Sequence, residues 1–193
     1  TSPEEFRVQT FSGKKWVPFA KGGEYSPYYA DVHLVVNWSN AGQEIKNRIN
    51  PDSGRPYSNV WMLRDTEENL FFRPGLTWPR RTTSGISMRL LNSGVVFGDK
   101  GPVCFTKDIT ELLPSIGLAQ SSAYSYLMNL QIAAADAAAR SYEVGIIQKT
   151  PMPRVDTNQK LPLSGLVTHI LEIKRDIEKI NELGHLFNYP SII

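Results

Sequence analysis

The strongest periodicity in the chain lies toward its C-terminal end. Leu163, Leu166, Ile170, Ile173, Ile177 and Ile180 recur at alternating spacings of three and four, the interval that returns a side chain to one face of an α-helix. Glu172, Lys174, Arg175, Asp176, Glu178 and Lys179 occupy other faces, as in a helix with one wet side. The seam is too short for a long coiled coil. It predicts an amphipathic helix docked on another helix, whose partner could lie inside or outside this chain. The proline-rich, polar stretch from Pro151 to Pro162 before it reads as a linker. The expected organisation is a body over residues 1–153, then a linker and spacer helix over 154–193.

Within the body the apolar pattern changes period. Lys15 to Phe19, Val32 to Trp38, Leu70 to Phe72, Gly85 to Leu91 and Val95 to Phe97 are short and rich in β-branched, aromatic or other apolar residues, and read as strands. Ala41 to Asn50 reads as a short helix with Ile45 and Ile49 on one face, ended by Asn50-Pro51. Asp108 is placed to cap a short helix through Leu113, stopped by Pro114. Ser121 to Arg140 is strongly helical in pattern, with an alanine run at Ala133–Ala135 and Ala137–Ala139. Tyr142 to Lys149 reads as one more strand. The predicted class is α/β (α+β), with mixed strands and helices.

The chain of 193 residues can bury a full core, and no apolar run approaches the roughly 20 residues of a membrane span. It opens on Thr1-Ser2-Pro3-Glu4-Glu5, with no basic and apolar leader, so no secretory signal is expected. The absence of an initiating methionine leads us to expect a fragment of a longer protein. One cysteine, Cys104, excludes an internal disulfide and a Cys-rich zinc site. A reducing, cytoplasmic setting is expected.

No catalytic constellation can be assembled. Glycine-rich phosphate loops of the Walker type are absent. Pro51-Asp52 and Glu172-Ile173-Lys174 do not read as a nuclease metal site, because the second lies far downstream on the heptad helix, and His33, His169 and His185 lack metal-ligand spacing. Val103 and Phe105 flank Cys104 and favour a packed thiol over a nucleophile. Neither a catalytic residue, a metal site nor a bound cofactor is therefore expected in this chain, and binding is the better reading.

The net charge of +2 says little, but its distribution says more. Between residues 73 and 107 stand Arg73, Arg80, Arg81, Arg89, Lys100 and Lys107 against the single acid Asp99, six minus one, a local +5. Such a cluster is either a phosphate-contacting face or a solvated surface. Inside it, Phe72 to Gly85 combines guanidinium groups, hydroxyls, glycines and the indole of Trp78, and Pro74 and Pro79 argue against regular structure there. Arginine reaches guanine or phosphate, and Thr and Ser reach phosphates or base edges. Trp78 is either a stacking group or a core plug.

The same segment resembles the Arg/Lys-x-Gly-Leu-Thr-Trp-Ser/Pro motif of large adenine-specific DNA methyltransferases, those of type IIG restriction–modification and of phage growth limitation (BREX-type). Other stretches agree in order. They are Trp16 to Glu24 around Lys21-Gly22-Gly23-Glu24, Val36-Asn37-Trp38 with Gly42 to Lys46, and Gly94 to Pro102 with Val96 where the family has isoleucine. Ile147 to Pro153 follows with Thr150 and Met152 as departures, then Ile173-Lys174-Arg175 with Asn181-Glu182, His185 to Phe187 and Pro190. The family's catalytic Asn/Asp-Pro-Pro-aromatic motif and S-adenosylmethionine loop are absent.

The resemblance implies a mixed-sheet target-recognition domain with DNA-facing loops and a C-terminal helical spacer, acting on double-stranded DNA beside a catalytic methyltransferase domain of the same polypeptide. S-adenosylmethionine would belong to that parent enzyme, and the parent could also cleave DNA. The candidate DNA-binding residues are Lys21, Tyr28, Tyr29, Arg73, Thr77, Trp78, Arg80, Arg81, Thr82, Ser84, Arg89 and Lys100. Tyr28 and Tyr29, like Trp78, could equally be core. The rival reading is a protein-interaction module that uses the heptad helix and aromatic loops and does not bind DNA.

Overall fold

Short apolar segments separated by glycine and proline give short strands. A computed structural model describes residues 15–57, 70–132, 140–184 and 186–188. Along the chain its elements are β1 (Trp16–Ala20), β2 (Val35–Asn37), α1 (Ser39–Lys46), β3 (Gly75–Thr77), β4 (Arg81–Thr82), β5 (Arg89–Leu91), β6 (Val96–Phe97) and β7 (Val103–Cys104). A 3-10 turn at Ile109–Glu111 follows, then α2 (Leu112–Ala119), α3 (Ser122–Asn129), β8 (Arg140–Ser141), α4 (Val144–Lys149) and α5 (Thr157–Glu178). Helices accompany small sheets, one of them mixed, so the fold is of the α/β class. In one sheet β1 is central, antiparallel to β2 and parallel to β6. In a second, β3 lies between β5 and β7, antiparallel to both, and β4 pairs with β8 in a third.

The main core joins the second sheet to the helices. Leu76, Trp78 and Met88 meet Ile116 of α2, Met128 of α3, Tyr142, and Val167 and Leu171 of α5. A second cluster sets Val17 and Val96 against Trp38, Phe71 and Phe72. Its rings meet edge to face, Trp38 to Phe71 at 5.5 Å and Phe71 to Phe97 at 5.0 Å between centroids, the arrangement the ring quadrupoles favour.

The heptad seam meets this core only at its start, through Leu163. On α5 the buried residues are Val167 and Leu171, whereas Leu166 is 64% exposed, Ile173 47% and Ile177 55%. The docked face follows the i, i+4 row through Leu163, Val167 and Leu171, against α2. There Gly117 permits close approach: a Cβ at that position would lie 2.8 Å from Leu163 Cδ1 and 3.1 Å from Val167 Cγ2. Asp156 caps the helix by accepting from the Gln159 N–H, so the linker ends at Asp156 and Pro162 lies within the helix.

Several local readings also change. Leu70 to Phe72 forms a turn, with Phe72 at φ 67°, while Gly75–Thr77, between two prolines, is the central strand of its sheet. Val144–Lys149 is helical, because a short apolar run fits either structure and Ile146 and Ile147 pack on the main core from a helical turn. Asp108 does cap, accepting from the Thr110 N–H, but Pro114 lies in the first turn of α2, where a missing N–H is tolerated. Helix α1 opens on left-handed Asn40, Ala41 and Gly42 and ends at Lys46, so Ile49 is in a bridge to Pro56 instead. The alanine run, residues 133–139, lies outside the described residues.

Candidate nucleic-acid interface

Strand β3 is pinned between its neighbours because Gly75 has no side chain: a Cβ there would lie 2.7 Å from Cys104 O and from Val103 Cγ1. The chain leaves the strand through Trp78, whose indole is 1% exposed and donates from Nε1 to Tyr142 O at 2.8 Å. Pro79, also buried, follows, and the chain bends at Arg80. The Arg80 N–H donates to Lys100 O at 3.0 Å, and Arg80 O accepts from the Tyr142 N–H at 2.7 Å. In the β4–β8 pair Arg81 lies opposite Ser141 and Thr82 opposite Arg140. Residues 81–84 thus emerge from an anchored root.

Two glycines bring a further loop to the same place. A Cβ on Gly101 would lie 2.4 Å from Gly22 N, and one on Gly22, where φ is +92°, would lie 2.5 Å from Lys100 O. The Lys21–Gly23 loop therefore packs backbone to backbone on the Asp99–Gly101 loop, which in turn holds Arg80. Lys21, Arg81, Lys100 and Arg140 are exposed around this junction.

Not every cation there is available. Arg80 pairs through Nη1 with Asp99 at 3.3 Å and through Nε with Glu143 at 3.0 Å. Lys100 lies 3.5 Å from Asp99. The Glu143 carboxyl is held below its ordinary range, chiefly by the Ser141 hydroxyl that donates to it and then by Arg80 and Arg81. Arg80 works as an internal tie between loops, its guanidinium paired with two carboxylates.

The residues singled out in the sequence separate by burial. Lys21, Arg81, Ser84 and Lys100 are exposed, and Tyr28, Arg73, Arg80 and Thr82 are half-buried. Arg73 lies over the Phe105 ring at 5.6 Å. Tyr29, Thr77, Trp78 and Arg89 are buried, which removes them from the accessible surface in this conformation. Tyr29 and Trp78 belong to the main core, the alternative their composition left open, and Arg175 lies over the Tyr29 ring at 5.6 Å. Burial lowers the Arg89 guanidinium to about 10, still charged at neutral pH. Arg140, Asp99 and Glu143 were not singled out as contacts; Arg140 stands far from the basic cluster in sequence and only strand pairing brings it near.

Cys104 packs against the main core, and burial pushes its thiol up to about 11, too high for a neutral-pH nucleophile. Among the described residues no group of three or more His, Cys, Asp or Glu side chains could hold a metal, and no helix is long and apolar enough to cross a membrane.

Comparison with known proteins gives two informative similarities. Over 151 residues, 78% of the chain, it is 26% identical to the adenine-specific methyltransferase PglX of Lacticaseibacillus casei (strain Zhang), of which the match covers 12%. Over 99 residues, 51% of the chain, it is 32% identical to the adenine-specific methyltransferase BrxX of Escherichia coli O9:H4 (strain HS), of which the match covers 7%. No family model matches. The chain is thus related to a minor segment of adenine-specific methyltransferases, and spans a small fraction of their length.

Proposed function

We propose that this chain is the DNA target-recognition portion of a larger adenine-specific methyltransferase of the restriction–modification or phage-defence type. Residues 1–153 would form the recognition unit and 154–193 the spacer. The observation that carries the reading is the convergence of the Lys21–Gly23, Arg80–Ser84 and Asp99–Gly101 loops with Arg140 on an anchored scaffold. Loops held by a rigid frame are where binding residues are placed, and exposed Lys and Arg among small polar groups suit phosphate and base-edge contact. In this reading double-stranded DNA docks on Lys21, Arg81, Ser84, Lys100 and Arg140. Arg80 fixes the loops, and Trp78 and Tyr142 fix their root. Methyl transfer from S-adenosylmethionine to a flipped adenine would take place in the catalytic domain of the same polypeptide.

The test is duplex DNA binding over a salt series with the chain and its Arg81→Ala/Arg140→Ala variant. Both arginines are exposed, so the variant should keep its fold. Each lost phosphate contact reduces the slope of log affinity against log salt by about 0.9, so the double variant should bind more weakly with a slope shallower by up to about 2. Identical curves would remove this edge from the interface. A second reading rests on the exposed Leu166, Ile173 and Ile177 of α5: a protein-interaction module with no role for DNA. Self-association in light scattering, with no DNA binding at low salt, would favour it.

A further inference from the structure

Strands β3 and β5 pair with Thr77 opposite Arg89, which sets a hydroxyl and a guanidinium side by side on one face of the sheet. Both line a cavity of about 200 Å³, together with Lys21, Gly22, Asp31 and Lys100. Each of the two is incompletely satisfied. Thr77 Oγ1 is buried with no hydrogen-bond partner. Arg89 is 4% exposed, and its one described hydrogen bond runs from Nη2 to Gly22 O at 3.0 Å, although a guanidinium carries five donors. Among the described residues no carboxylate pairs with it.

A buried cation and a buried hydroxyl with donors to spare are unfavourable unless something accepts from them. The complement is an anion rich in acceptor oxygens. Of the charged groups in the lining, Lys21, Arg89 and Lys100 outnumber Asp31. The volume is below the roughly 300–1,000 Å³ of sites that enclose drug-sized ligands, so one small group fits better than a whole nucleotide.

We propose that this cavity is a phosphate site: one tetrahedral phosphate group accepts from the Arg89 guanidinium and the Thr77 hydroxyl, with Lys21 and Lys100 adding positive charge at its edge. Thr77 meets the phosphate by turning its hydroxyl, now sealed from solvent, about χ1. The group comes either from a DNA backbone, since Lys21 and Lys100 also belong to the surface described above, or from free phosphate. The inference does not depend on DNA recognition.

Thr77→Val separates stability from binding. Valine keeps the branched shape and removes a hydroxyl that has no partner, so in chloride the variant should melt at or above the wild-type temperature. Inorganic phosphate, at ionic strength matched with chloride, should raise the wild-type melting temperature. In Thr77→Val its affinity should fall by roughly tenfold or more, the loss expected of one hydrogen bond to a charged group. Arg89→Lys, which keeps the charge and loses the fork, should also weaken the response. Duplex DNA affinity, measured in parallel, identifies the source. Weaker DNA binding by Thr77→Val assigns the site to a backbone phosphodiester; unchanged DNA binding with a lost phosphate response assigns it to free phosphate. A wild-type phosphate response without any DNA binding keeps the pocket and removes the DNA reading. A wild-type chain that responds to neither ligand, or both variants matching it in both arms, overturns the proposal.

Discussion

Replacing Gly101 by alanine tests whether the loops at the candidate interface are held by close backbone contact. The new Cβ would lie 2.4 Å from Gly22 N, 3.0 Å from the Lys21 carbonyl carbon and 3.2 Å from Gly22 Cα. Non-bonded carbon atoms rest at about 3.5–4.0 Å, so the shortest contact falls about 1 Å inside that distance. All three neighbours are backbone atoms, and none can swing aside as a side chain would. Gly101 is not among the positive-φ glycines, so the effect is one of space alone. Overpacking of this kind costs about 1–3 kcal/mol, and about 2–4 °C of melting temperature accompanies each kcal/mol in a domain of this size. The expected fall is roughly 2–12 °C.

Gly85 is the control. A Cβ there meets nothing within 4 Å, and its φ is not positive, so Gly85→Ala should be neutral or raise stability by up to about 1 kcal/mol through the unfolded chain. Calorimetric melting of both variants in one buffer provides the comparison. If Gly101→Ala melts with Gly85→Ala, the Lys21–Gly23 and Asp99–Gly101 loops are not locked together. The Gly101→Ala variant should also bind duplex DNA more weakly, because separating those loops moves Lys21 and Lys100 apart.

Two further outcomes follow from burial and charge. Leu171→Ala should lower stability by about 2–5 kcal/mol, as for a truncated core leucine, while Ile173→Ala should stay within about 0.5 kcal/mol; urea unfolding of both checks this, and a large loss at Ile173 would mean that the stripe on α5 is covered. Glu143 is held below the ordinary glutamate range, chiefly by the Ser141 hydroxyl, so its contribution is complete above the unfolded value and is lost as pH falls through the lower folded one. Glu143→Gln should therefore be destabilised near neutral pH and converge on wild type in acid, a difference readable from melting temperatures across the acid range.

The sequence carried the class of fold well where local chemistry decides. Alternating or branched runs gave β1, β2 and β6, and Asp108 caps as its position predicts, whereas the helix expected from Ser121 to Arg140 ends at Asn129 and Arg140 lies in β8. Pattern was less informative where one residue type serves two structures. Val144–Lys149 reads as strand yet is helix, because docking of Ile146 and Ile147 outweighs weak local preference. In α5 the longest apolar periodicity marked the helix and its docking on another helix correctly, but its buried face only at Leu163, since Gly117 of α2 admits Leu163 and Val167 and the docked row continues to Leu171 rather than along the seam.

Of the candidate interface, the sequence by itself determined the ingredients: a basic segment between residues 73 and 107, the glycines of the Lys21–Gly23 and Asp99–Gly101 loops, and the Leu76-Thr77-Trp78 run. Tertiary structure decided their use. Trp78 and Tyr29 lie inward because they join the core between the second sheet and the helices, and Arg89 is buried on the other face of that sheet, where its guanidinium donates to Gly22 O. Arg80 is neutralised because folding brings Asp99 and Glu143, distant in sequence, within ion-pair range. Arg140 reaches the basic edge only because β8 pairs with β4. Composition records which charges a chain has; only the packing of its strands determines which of them solvent, or a nucleic acid, can meet.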